Sequence, residues 1–172
     1  MVQAQELLMA IAQIAVALAG FSGLIAAIRT AAPEGWHPRD VWSLSWMLGA
    51  SIGALLFALL PAWLALFGMD EASVFRIACA LVCAFTASFV GVMANSGRRL
   101  TRRGFPPRVK GFPALLVIVL AIAALATGAA AFGAWPHVLA AVYVGALLAL
   151  LFASALVLAI FLVLLARAAR RD

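Results

Sequence analysis

The sequence predicts an all-α integral membrane helical bundle of five transmembrane helices, and three observations carry that prediction. Hydrophobic residues make up 67% of the 172 residues and charged residues only 10%, whereas a soluble domain needs about 25% charged residues to cover its surface. The apolar residues gather into five long runs, each reaching or exceeding the roughly 20 residues that a helix needs to cross about 30 Å of hydrocarbon. The lysines and arginines fall almost wholly in alternate connectors, as expected when positive charge is retained on one side of a membrane. A mean hydropathy of +1.17 agrees, and residues 1–172 read as a single transmembrane domain.

The first run extends from Leu7 to Ile28, broken only by Gln13, Ser22 and glycines. Its leucines, isoleucines and valine outweigh one amide in the insertion balance. No lysine or arginine precedes it, so it reads as a retained helix and not as a cleavable signal. Pro33, Gly35 and Pro38 then make the linker a poor helix. The second run, Val41 to Phe67, is long and carries Pro61 near its far end, which predicts tilt and a kink. A turn at 68–72 with Asp70 and Glu71 leads to the third run, Ser73 to Ala94.

Residues 95–111, NSGRRLTRRGFPPRVKG, read as a polar connector with six basic residues, Arg98, Arg99, Arg102, Arg103, Arg108 and Lys110, and no acidic ones. The fourth run is Phe112 to Phe132, and Gly-Ala-Trp-Pro-His turns the chain into the fifth, Val138 to Ala166. In this arrangement eleven lysines and arginines lie on one side and Arg76 alone on the other. The eleven-charge side is predicted to be cytoplasmic, with the N-terminus outside and the C-terminus inside. Trp36 and Trp42 fall near one boundary and Trp63 and Trp135 near the other, as amphipathic rings prefer. A re-entrant or surface-lying first segment, giving four spans, fits the charge count equally.

Lipid provides little hydrophobic drive between helices, so small residues mark close helix contacts. Ala15, Ala19, Gly23 and Ala27 recur every four positions on the first helix. Gly49 and Gly53 form a GxxxG pair on the second, and Gly145, Ala149 and Ala153 repeat the spacing on the fifth. These stripes predict either packing within one chain or association with another copy or another membrane protein. Gln13 is costly in hydrocarbon without a partner, so it is expected to face the bundle interior or a wet cavity. With Ser22 it forms a candidate polar lining. Glu6 and Arg76, at equal depth near the outer ends of the first and third helices, form a candidate ion pair.

The central thirds of the five helices carry no charge, which argues against a proton relay or voltage sensor. Cys79 and Cys83, four apart on one face, have a spacing open to a soft metal, but no methionine or histidine clearly joins them and they also read as small core residues. His37 and His137 fall on opposite sides. No nucleophile motif, metal motif or Walker loop is present, so no enzyme, cofactor or metal site is expected. The net charge of +6 is explained by positive-inside topology without nucleic acid. The basic connector is expected to meet anionic lipid heads.

The segment Leu18-Ala19-Gly20-Phe21-Ser22-Gly23-Leu24 resembles a recurring first-helix signature of small, uncharacterised bacterial multi-pass membrane proteins. That resemblance covers one helix of five and implies an inner-membrane location and no activity. The arginine and alanine bias also fits a bacterial source. The expected function is a structural or interaction protein associating through small-residue helix faces. The rivals are a small oligomeric channel or transporter and an accessory subunit of a larger membrane complex.

Overall fold

The computed structural model describes residues 2–31, 37–106 and 111–168. They form α1 (Val2–Ala31), α2 (Pro38–Ala65), α3 (Glu71–Arg102), α4 (Phe112–Ala131) and α5 (Leu139–Ala168). All five are long and apolar enough to cross a membrane. The chain is therefore a multi-pass helical bundle with the predicted element order. α1 is one continuous helix packed along α2 and against α5.

Consecutive helices run in opposite directions, and the pairings show it. Gly49 faces Phe89, Gly53 faces Phe85 and Trp42 faces Gly97 across α2 and α3, so one number rises as the other falls. Ser51 meets Ser154 and Phe57 meets Tyr143 across α2 and α5 in the same sense. α5 packs against each of the other four helices, while the backbone of α1 runs beside α2 and α5. The centre is filled by Trp46, Met47, Leu116, Leu120, Tyr143, Leu147 and Leu150, each almost fully buried.

Local chemistry fixes the helix ends. Pro38 begins α2, where its missing N–H costs nothing, and the His37 ring accepts from the Arg39 backbone N–H at 3.2 Å. Asp70 caps α3 by accepting from Ser73 N–H at 3.0 Å. That bonding holds the Asp70 carboxyl below the usual carboxylate range.

The largest departure from the sequence reading is at the end of α3, which continues as helix from Ala94 to Arg102 through the polar segment. Composition marks where lipid ends, not where hydrogen bonding ends, and arginine and leucine are good helix formers. The helix stops at Gly104, whose φ of +88° permits a Schellman closure. Gly104 N–H reaches Thr101 O at 3.1 Å and Phe105 N–H reaches Leu100 O at 3.0 Å. Gly133, with φ +87°, ends α4 in the same way, bonding Ala130 O at 2.9 Å while Ala134 N–H reaches Ala129 O at 3.0 Å.

Pro61 lies buried inside α2 without ending it. It has no N–H, so the carbonyl of Phe57, four residues back, loses its helical donor. The Tyr143 hydroxyl of α5 donates to that carbonyl. The proline that opens a gap in one helix is thereby matched by a side chain of the helix packed against it.

Candidate functional site: the outer face of α1 and the basic end

The three predicted small-residue stripes have different fates. Gly49 and Gly53 face inward to α3, where a Cβ on Gly49 would stand 2.5 Å from the Phe89 ring and one on Gly53 would collide with Phe85. That stripe is used up by internal packing. On α1, Ala15 is fully buried, Ala19 half-buried, and Gly23 and Ala27 exposed. A step of four residues advances about 400°, so a strict i, i+4 row winds off one face and onto the next. The α5 row behaves likewise, from exposed Gly145 through half-buried Ala149 to fully buried Ala153. A further small-residue row, Ala50, Ala54 and Ala58 on α2, is buried throughout.

Gln13 and Ser22 do not form one polar lining. Nine residues are about two and a half helical turns, so the two point in opposite directions. Ser22 is buried and donates to Leu18 O at 2.9 Å within its own helix. Gln13 is exposed on the outside of the bundle, not turned to the interior as its cost in hydrocarbon predicts, and its amide has no partner among the described residues. It stands three residues from the middle of the span Ala4–Ile28, about 4 to 5 Å along the axis.

Gln13 belongs to a second, longer row. Glu6, Ala10, Gln13, Ala17, Gly20, Leu24 and Ala27 are separated alternately by four and three residues, and all are exposed. This is the seam spacing of a helix pair. Four of the seven are alanine or glycine, and nothing lies within 4 Å of where a Gly20 Cβ would be.

The Glu6–Arg76 pair is not formed. Both side chains are exposed, and α1 and α3 do not pack together. Ala4 and Leu8 of α1 and Val74 and Phe75 of α3 line one cavity at this end, but Glu6 and Arg76 do not line it.

At the opposite end of the bundle stands the basic cluster. Arg98, Arg99, Arg102 and Arg103 are exposed along the last turns of α3, while Arg108 and Lys110 lie outside the described residues. Arg39, read from sequence as a topology charge, is instead 5% exposed. Its Nε donates to Phe105 O at 2.8 Å, and one Nη donates to Thr101 Oγ1 at 2.7 Å and Gly97 O at 3.3 Å. The guanidinium lies 5.3 Å from the centre of the Trp42 ring, and the Trp42 indole N–H donates to Met93 O at 3.1 Å. Arg39 and Trp42 thus pin the start of α2 to the end of α3.

Cys79 is buried and Cys83 half-buried, with Cys83 Sγ against Gly128 of α4. Among the described residues no three His, Cys, Asp or Glu side chains gather in a metal-binding group. His37 sits edge-on to Phe105, centroids 5.4 Å apart, and His137 is exposed near the other end. Ser51 Oγ and Ser154 Oγ are 2.7 Å apart, and Ser154 Oγ donates to Met47 O at 3.1 Å, joining α2 to α5. Comparison with known protein families, curated proteins and solved structures finds no match.

Proposed function

We propose that this chain is a non-enzymatic interaction protein of a bacterial inner membrane that self-associates through the outer face of α1. The observation that carries this is Gln13, an exposed amide near the middle of the α1 span with no partner among the described residues. An amide without a hydrogen-bond partner costs roughly 4 kcal/mol or more in pure hydrocarbon. Lipid tails offer neither donor nor acceptor. A second Gln13 offers both, because a primary amide is its own complement.

The surrounding row supports the same partner. Small residues at Ala10, Ala17 and Gly20 let two backbones approach closely, which is where van der Waals contact replaces the missing hydrophobic drive. The placement of eleven basic residues on one side supports an N-terminus outside and a C-terminus inside, with the basic end meeting anionic lipid heads. The LAGFSGL segment, with its resemblance to small bacterial multi-pass proteins, fits that location. The oligomeric pore reading has less to rest on, because its two candidate lining groups, Gln13 and Ser22, point in opposite directions on α1.

Gln13→Leu keeps the helix and its length but removes the amide. In liposomes of fixed composition, fluorescence energy transfer between labelled copies is expected to report a dissociation constant raised about tenfold, equivalent to about 1.4 kcal/mol. Unchanged transfer in the variant would remove the basis of the proposal. A wild-type chain that is monomeric at high protein density but retains another membrane protein through purification would favour the accessory-subunit reading.

A further inference from the structure

The basic end holds a cavity of about 350 Å³ between α2, α3 and α4, within the usual range of about 300 to 1,000 Å³ for small-molecule sites. Arg39 and Arg98 line it at one end, and Ala94, Ala114, Val117 and Ile118 provide an apolar wall. Trp46 also lines it, and its buried indole N–H has no acceptor among the described residues.

The charge on Arg39 is the feature that points to a ligand. The side chain is 95% removed from the surface, yet among the described residues its guanidinium meets two carbonyls, a hydroxyl and an indole face. Asp40, the next residue, is also buried and makes its own polar contact. No carboxylate among the described residues forms an ion pair with Arg39. A buried cation held by neutral acceptors is costly to desolvate, and an anion entering beside it recovers part of that cost. Arginine meets phosphate oxygens in a planar fork, and Arg98 on the exposed rim adds a second positive charge.

The apolar wall selects among phosphates. A free anion gains nothing from Ala94, Ala114, Val117 and Ile118, whereas the acyl chain of a phospholipid does. We propose that this cavity is a specific site for an anionic phospholipid, its headgroup phosphate between Arg39 and Arg98 and the start of an acyl chain along α3 and α4. The site needs the basic end to lie at a membrane boundary, and it is independent of self-association through α1.

The test is native mass spectrometry of the full chain in mild detergent with equimolar phosphatidylglycerol and phosphatidylcholine, scored on the monomer peak so that self-association has no bearing on it. The wild type is expected to retain phosphatidylglycerol about tenfold over phosphatidylcholine. Arg98→Gln lowers that preference about fivefold, the value of one basic group near a membrane surface. Ala114→Trp, which fills the exposed side of the cavity and leaves every charge in place, lowers it comparably. Arg76→Gln, at the other end, leaves it unchanged. Equal retention of the two lipids overturns the proposal, as does a preference that survives both Arg98→Gln and Ala114→Trp. A loss in Arg102→Gln as large as in Arg98→Gln indicates a diffuse basic surface and also overturns it. Displacement of the lipid by millimolar inorganic phosphate would make the site one for a free anion instead.

Discussion

Replacing Arg39 by methionine is expected to destabilise the bundle by about 3 kcal/mol, the loss of charge-assisted hydrogen bonds from a buried side chain. Three acceptors, Gly97 O and Thr101 Oγ1 on the last turns of α3 and Phe105 O just past its end, converge on one guanidinium. The Phe105 carbonyl lies just beyond the Schellman turn at Gly104, so the same side chain also fixes where α3 hands over to the connector. Lysine keeps the charge but not the planar fork, and its single ammonium cannot reach this spread of acceptors. Arg39→Lys is therefore expected to unfold nearly as readily as Arg39→Met in a reversible detergent titration. A lysine variant close to wild type would mean that charge alone matters at this position.

The second large effect lies at the Tyr143–Pro61 pairing. Tyr143→Phe removes one hydroxyl and leaves the Phe57 carbonyl without a donor in the low-dielectric interior, at an expected cost of roughly 1 to 3 kcal/mol. Tyr143 is fully buried, so water cannot take its place without opening the α2–α5 contact. The cause is specific, because the carbonyl needs an outside donor only while residue 61 lacks an N–H. In a Pro61→Ala background the helix supplies that N–H itself, and the Tyr143→Phe cost is expected to fall below about 1 kcal/mol. Equal costs in the two backgrounds would show that the Tyr143 hydroxyl does not act by bridging the proline gap.

The five helices were legible in the sequence because hydropathy reports directly on burial in lipid, and the predicted spans agree with the helix bounds to within a few residues except at two ends. The N-terminal start of α1 and the C-terminal extension of α3 are helical but polar, so composition alone ends them early. The opposition of Gln13 and Ser22 was also present in their spacing of nine. So was the row from Glu6 to Ala27, whose alternation of four and three follows one helix face where a strict four-residue repeat winds off it.

Other features needed the tertiary register. The Pro61 gap is readable from sequence, but nothing in the spacing of α5 identifies Tyr143 as the residue opposite Phe57. Arg39 looks like any connector arginine until α3 is known to continue eight residues past Ala94 and bring Gly97 and Thr101 beside it. Sequence places Glu6 and Arg76 at equal depth, but depth does not specify which helices are neighbours.

The central claim is that two copies meet along one particular face of α1, and cysteine cross-linking in native membranes reads that face directly. Single cysteines at Ala10, Ala17 and Leu24 lie on the proposed seam, whereas Ile14 and Phe21 are equally exposed but lie to one side of it. With Cys79 and Cys83 replaced by alanine, oxidation is expected to yield disulfide-linked dimers at Ala10→Cys, Ala17→Cys and Leu24→Cys and monomer at Ile14→Cys and Phe21→Cys. Dimers at Ile14 and Phe21 with none on the seam, or no dimer at any position, would contradict the account.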